Sequence, residues 1–368
     1  MILSAEHVVT PEGVLTDAEI VVDGDRIAAI RPTSNPEPGW LVPGFIDTHC
    51  HGGAGFDFGD DPEPGLAYHR RGGTTSLFAS LVTTSVDRLL TQIRSLVPLV
   101  QAGELAGIHL EGPFLSEARC GAHDPGLLID PTDEVVAEIL AAGQGCITMV
   151  TMDPVRANAA AATRTFREAG VQVAFGHSDA DLDQTRAGID AGMQVVTHLF
   201  NAMRSIHHRE PGPVPLLLND PRVAGLEVIC DGFHLNLEVV TMAARAAGSD
   251  RILLITDAVG AAGMPDGPFQ LGGLPANITD GKVRLVKDDG SFGSIAGSTL
   301  TMAQAFANVA SVLPLETVVR MAASNPARVH GLSDVGELAV GKFADLCRVD
   351  PTGQLLAVHR HGEEIPLS

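Results

Sequence analysis

Eight short apolar runs recur between Leu41 and Thr256, and most are separated by stretches of helical periodicity. The runs are Leu41–His49, Thr75–Ala79, Gly107–Leu110, Ile147–Met152, Val171–Phe175, Gln194–Thr197, Leu226–Cys230 and Ile252–Thr256. Between them, Val86–Val100, Glu134–Ala142, Ala159–Ala169, Ala180–Ala191 and Leu237–Ala247 repeat apolar residues at helical spacing. Apolar runs without alternation suit strands covered on both faces, and parallel strands need a crossover, commonly a helix, to bring the chain back. Eight such units predict a parallel (β/α)8 barrel of the α/β class. A doubly wound open sheet is the alternative. It requires a glycine fingerprint opening a helix, and Gly52-Gly53-Ala54-Gly55 leads into no helical pattern.

The flanks differ from this middle. Residues 1–42 read as short strands (Ile2–Leu3, Val8–Val9, Val14–Leu15, Glu19–Val22, Arg26–Ile30), with Asp23-Gly24-Asp25 as a hairpin turn. Residues 334–368 have the same texture in Gly336–Leu338, Phe343–Val349 and Leu355–Arg360. Neither flank buries much alone. They are expected to meet in one small β-sandwich domain beside a barrel spanning 43–333. Glycine-rich Ala261–Gly297, with the alternating run Lys282–Val286, reads as a hairpin insertion near 262–297 after the eighth strand.

The strand ends carry the chemistry. The first run ends in His49-Cys50-His51, where residues two apart on a strand point to the same side. The third ends in His109, Leu110 and Glu111, the fifth in His177, the sixth in His198, the seventh in Asp231 and His234, and the eighth in Asp257. In a barrel of parallel strands all carboxyl ends surround one cavity. Side chains far apart in sequence therefore converge as a set suited to a divalent cation.

Composition narrows the partners. A net charge of −21 argues against nucleic acid or an anionic membrane. Five cysteines (Cys50, Cys120, Cys146, Cys230, Cys347) in no paired spacing fit a reducing compartment better than a disulfide framework. The opening MILSAEHVVT has no secretory pattern, so a cytoplasmic protein is expected.

PGFIDTHCHG, GIHLEGPF, FGHSDA, THLFNAM, REPG, CDGFH and ITDAV, in that order, resemble the motifs of the N-acetylglucosamine-6-phosphate deacetylases of the amidohydrolase superfamily, and GELAVGKFADLCRVD resembles the strand closing the small β domain of many amidohydrolases. HLEGPF and THLFNAM distinguish this branch, whereas His-x-His is common to many relatives. The resemblance implies a (β/α)8 barrel with a β-sandwich and a homodimer. It also implies metal-dependent hydrolysis of the acetamide of N-acetylglucosamine 6-phosphate. It makes Glu111, His177 and His198 the main metal ligands, with His49, His51 and Asp257 serving a second ion. Glu111 would occupy the place where other amidohydrolases use a carboxylated lysine. Some family members lack the His-x-His pair and use one metal, so one or two ions are expected; zinc comes first, with iron or another divalent metal also suited to such donors. Asp257 matches the catalytic aspartate, acting as base and then acid, and His123 the histidine that polarises the acetyl carbonyl. Asn201, Ala202 and His234 would bind the phosphate, Gly112 joins the substrate-binding residues, and Arg209 would reach the phosphate across the dimer interface. Cys120 stands where many family members carry a basic residue, and its role is open. Another amidohydrolase activity, on a cyclic amide, dipeptide or other N-acyl compound, is the competing enzyme reading. A catalytically silent binding barrel is the non-enzyme one.

Overall fold

The computed structural model describes residues 1–367. Both ends of the chain enter one seven-stranded sheet, in the order Glu363–Ile365, Leu355–Arg360, Leu346–Val349, Trp40–Pro43, Ile2–Thr10, Gly13–Asp23, Arg26–Pro32. The first four N-terminal runs expected from the sequence are thus parts of two long strands, paired antiparallel from Ile2 with Val21 to Thr10 with Gly13, and the fifth lies in Arg26–Pro32. Their breaks in the sequence are exposed polar residues (Glu6, Thr16, Asp17); the pairing skips Glu6 and Asp17 but keeps its register on either side. The hairpin at Gly24-Asp25 forms as expected, with Asp23 opposite Arg26 and Gly24 at φ +59°. The sandwich takes the form of a single sheet curled over its own core. Gly341 N–H donates to the Ile27 carbonyl, Ala344 N–H to Asp25 and Gly362 N–H to Ala344, drawing the two edges together. Ala5, Val8, Ile20, Ile27, Leu41 and Leu346 fill the interior.

Trp40–Pro43 belongs to this sheet and Phe45–Cys50 to the barrel, so the run Leu41–His49 serves both. The chain crosses at Gly44. A Cβ there would lie 2.3 Å from Thr75 Oγ1, so only glycine permits so close a passage.

The barrel strands are Phe45–Cys50, Thr74–Val82, Gly107–Glu111, Ile147–Met152, Gln172–Phe175, Val195–Val196, Gly225–Ile229 and Ile252–Ile255. Each pairs in parallel with the next. The eighth and first strands close the ring through one carboxylate. Thr256 donates to Asp47 from its hydroxyl (2.6 Å) and its backbone N–H (3.2 Å), and Asp257 N–H donates to the His49 carbonyl at 2.8 Å. Burial pushes the Asp47 pKa up to about 7, against the lowering effect of these donors.

Helices at Val86–Gln101, Asp133–Gly143, Ala159–Glu168, Leu182–Ala191 and Leu237–Ala247 lie where the periodicity places them. One at Pro62–Arg71 does not announce itself, because its first turn is Pro-Glu-Pro-Gly; the Asp61 cap and a first-turn proline start it. The segment after strand eight is more than a hairpin. Gly267–Leu271, Leu274–Thr279, Lys282–Val286 and Phe292–Ser298 form a four-stranded antiparallel sheet that overhangs the barrel mouth.

Candidate active site and metal centre

At the carboxyl ends of the strands two groups of metal-capable side chains share one residue. Glu111, His177 and His198 form the first, and His49, His51, Glu111 and Asp257 the second, with the ligand atoms of each group within 4.8 Å of one another. Glu111 Oε1 lies 2.9 Å from His198 Nε2 and 3.0 Å from His177 Nε2, while Oε2 lies 3.1 Å from His51 Nε2. Asp257 Oδ1 is 3.2 Å from His51 Nε2 and 3.4 Å from His49 Nε2. All six side chains are buried.

The hydrogen bonds behind the rings determine what faces inward. His49 Nδ1 is 3.1 Å from Glu227 Oε2, and His177 Nδ1 is 2.8 Å from the Arg119 carbonyl. A carboxylate and a carbonyl oxygen are acceptors, so each Nδ1 donates and leaves Nε2 as the ring atom that faces the site. Yet His49 and His51 approach Nε2 to Nε2 at 3.1 Å, and His177 and His198 at 3.0 Å. Two nitrogens this close can share a proton or take a common cation. The electrostatics agree. Burial works against charging His51, but the adjacent Asp257 and Glu111 carboxylates outweigh it and lift its pKa to about 9. His49 is likewise raised despite burial by Glu111 and Asp257. Burial opposes ionisation of Glu111 and Asp257, yet the surrounding imidazoles hold both below the usual carboxylate range. The pocket attracts positive charge, and its nitrogen and oxygen donors fit one or two divalent ions.

The backbone is bent to make this fit. His177, His198 and Asp257 sit at φ +45°, +29° and +50°, a region side chains other than glycine rarely adopt, and Phe200 and Ala202 follow at +77° and +50°. Strain gathered at the ends of strands five, six and eight marks a functional site, since the fold holds it in place there.

His123 is oriented the other way. Thr83 N–H lies 3.3 Å from its Nδ1 and the Thr83 hydroxyl 2.9 Å, so Nδ1 accepts and Nε2 carries the proton. Burial lowers its pKa, against the pull of Glu111, which keeps the ring neutral. Nε2–H points into the site, 3.4 Å from Glu111 Oε2. His49 and His177 are anchored through Nδ1, whereas His123 accepts at Nδ1 and presents a donor to the site.

A cavity of about 930 Å³ opens above the cluster, lined on one side by Asn201, Ala202, Phe233 and His234 and roofed by Leu271–Leu274 and Ser294–Gly297 of the overhanging sheet. His234 donates from Nδ1 to Asp231 at 2.6 Å; burial opposes its charge, but Asp231 outweighs burial and raises its pKa. Two residues singled out from the sequence lie elsewhere. Arg209 is exposed and lines no part of this chain's cavity, and Gly112 is buried beside Glu111, outside the cavity wall. Cys120 is half-buried, and burial raises its thiol pKa. His109 turns into the barrel, held by Ser80 Oγ (2.9 Å) and Thr151 Oγ1 (2.8 Å), and belongs to neither cluster. Residues that sequence reasoning did not single out are Glu227, Thr83 and Arg119. Glu227 is the one charged side chain in the otherwise apolar strand Gly225–Ile229, a signal that was available.

A family model described as the amidohydrolase family matches residues 40–363. The chain is 39% identical over 322 residues to an N-acetylglucosamine-6-phosphate deacetylase from Lysinibacillus sphaericus, covering 84% of this chain and 81% of that one. It is 36% identical over 365 residues to an N-acetylgalactosamine-6-phosphate deacetylase from Escherichia coli O157:H7, covering 95% of each. Among solved structures, an N-acetyl-D-glucosamine-6-phosphate deacetylase from Mycobacterium smegmatis in complex with N-acetyl-D-glucosamine-6-phosphate superposes with a TM-score of 0.94 at 42% identity, covering 99% of both chains. The corresponding enzyme from Thermotoga maritima gives 0.91 at 29% identity over the whole of both chains. With its barrel, its mouthful of imidazoles and carboxylates and these relatives, the chain belongs to the amidohydrolase family.

Proposed function

We propose that this chain hydrolyses the acetamide of N-acetyl-D-glucosamine 6-phosphate, releasing D-glucosamine 6-phosphate and acetate. The observation that carries this reading is the shared Glu111, whose two oxygens face His177 and His198 on one side and His51 on the other. Glu111, His177 and His198 would hold one divalent ion, and His49, His51, Asp257 and Glu111 a second. When bound, such an ion lowers the pKa of a coordinated water to about 7 and polarises a carbonyl oxygen. Zinc fits these donors first and iron also fits.

The protein's own groups divide the remaining work. Asp257 is held ionised among imidazoles and can take a proton from the attacking water. As the carbon–oxygen bond forms and the carbon–nitrogen bond breaks, Asp257 passes that proton to the departing nitrogen. His123 donates its Nε2–H to the carbonyl oxygen as negative charge develops there. Asn201, Ala202 and His234 form the phosphate side of the cavity, and the raised pKa of His234 favours a positive partner for the anion. Arg209 is exposed and so accessible to a second copy of the chain, which fits a homodimer in which it completes the neighbouring phosphate site. Free cysteines throughout suit a reducing cytoplasm.

A second substrate also has specific support. The E. coli O157:H7 relative named for the galactosamine epimer covers 95% of each chain. Acetate release from the 6-phosphates of N-acetylglucosamine and N-acetylgalactosamine, each beside its unphosphorylated sugar, tests both. Faster turnover of the glucosamine form supports our reading, faster turnover of the galactosamine form replaces it, and indifference to phosphate removes the sugar-phosphate assignment.

A further inference from the structure

Beneath the metal-capable cluster lies one carboxylate that touches both halves of it. Glu227, on the seventh barrel strand, has no exposed surface. Its Oε1 accepts from the Thr48 hydroxyl at 3.0 Å, and its Oε2 accepts from His49 Nδ1 at 3.1 Å and from the His198 backbone N–H at 3.4 Å. Thr48 and His49 are neighbours on strand one, so the same side chain grips that strand twice. The faces and edge of the His49 ring meet His109 edge-on at 4.6 Å and His198 stacked at 5.6 Å, while its Nε2 faces Asp257 at 3.4 Å and Glu111 at 3.6 Å. Nδ1 has no second partner among the described hydrogen bonds, so Glu227 alone anchors the ring from this side.

We propose that Glu227 is a positioning residue of the metal centre, which fixes His49 as the Nδ1–H tautomer and aims its Nε2 at the ion shared with His51 and Asp257. The inference rests on the two-ion reading above and adds the residue that sets the quality of the second site. A buried carboxylate is costly to keep in a barrel interior unless its hydrogen bonds are all made. Here they are made to a candidate ligand, its neighbour and the backbone of a ligand from the other ion's group. In metal centres generally, removing such an outer partner weakens metal binding about 10–100-fold.

The test loads full-length protein with zinc alone and challenges it with chelators of increasing strength, counting zinc retained per protomer. Wild type should hold two ions. Glu227→Met, similar in volume but with no acceptor for Nδ1–H, should lose one ion about 10–100-fold more readily and keep the ion at Glu111, His177 and His198. Glu227→Gln offers one acceptor oxygen where wild type has two, so its retention should fall between the others. If Glu227→Met does not fold, Glu227→Gln carries the test, with weaker retention supporting the role and retention equal to wild type overturning it. Two ions held equally well by wild type and Glu227→Met would refute the positioning role and leave the two-ion reading standing. Fewer than two ions in wild type would overturn that reading and the role with it.

Discussion

His177 and His198 meet Nε2 to Nε2 at 3.0 Å, and both lie within 3.0 Å of the same oxygen of Glu111. Strands three, five and six thus bring two imidazole nitrogens and a carboxylate oxygen to one point, a donor set suited to a divalent cation. Replacing Glu111 by Gln keeps the shape and removes the charge. Metal content measured by elemental analysis should fall more than about 100-fold in apparent affinity, beyond the range typical of outer-shell partners. Full metal loading of Glu111→Gln would show that Glu111 is no ligand.

Asp257 and His123 should fail in different ways. Asp257→Asn keeps the side-chain shape and loses proton acceptance, so kcat should drop by about 10²–10⁴ while the ion at Glu111, His177 and His198 remains. His123→Ala removes a donor aimed at the carbonyl oxygen and should reduce kcat by about 10²–10³ with little change in KM. Thr83→Val, which frees the ring that Thr83 holds at 2.9 Å, should show a smaller loss of the same kind. Steady-state kinetics on metal-loaded protein checks all three, and a pure KM effect for His123→Ala would move it from catalysis to binding.

Arg209 is the sharpest test of assembly. Its exposure in a single chain means that any role at the phosphate must come through another copy. Arg209→Ala should raise KM for the phosphorylated sugar at least tenfold, leave metal content unchanged, and be rescued in mixed dimers that pair it with Asp257→Asn. Unchanged kinetics would take Arg209 out of the site.

Acid should weaken the fold through His69. This ring is wholly buried against the first strand, and burial lowers its pKa to about 4 although its Nε2–H donates to the Gly52 carbonyl at 2.8 Å. In the unfolded chain it titrates near about 6.5. Below that value the unfolded state binds the proton that the folded state refuses. Stability is therefore complete above pH about 6.5 and declines as the pH falls toward about 4, by about 2 kcal/mol between pH 7.5 and 5 from this group alone. Urea unfolding at the two pH values should show a loss smaller by about that amount in His69→Gln. An identical loss would place the acid sensitivity elsewhere.

The barrel was legible because its strands are buried on both faces and therefore nearly pure in apolar residues, so eight runs such as Ile147–Met152 stand out. The metal-capable residues were legible as a set, because histidines and acids end several such runs at one rim, although His109 and Asp231, which also end runs, serve other contacts. The N-terminal strands were less so, because a sheet with one wet face breaks its own apolar pattern. The Pro62–Arg71 helix was hidden by prolines that initiate it, and the insertion by glycine turns that do not reveal how many strands they join. Glu227 showed only as a lone charge in an apolar strand and Thr83 not at all, because no spacing along the chain records which distant histidine each one holds.

Acetate release by this chain should depend on the bound metal. Purified protein should be analysed for bound metal and for acetate released from N-acetylglucosamine 6-phosphate, before and after removal of metal by a chelator and after its return. We predict two divalent ions per protomer, turnover that vanishes on stripping and returns with zinc or iron, and negligible turnover of the unphosphorylated sugar. Full acetate release from metal-free protein, or metal-loaded protein that releases none, would contradict it.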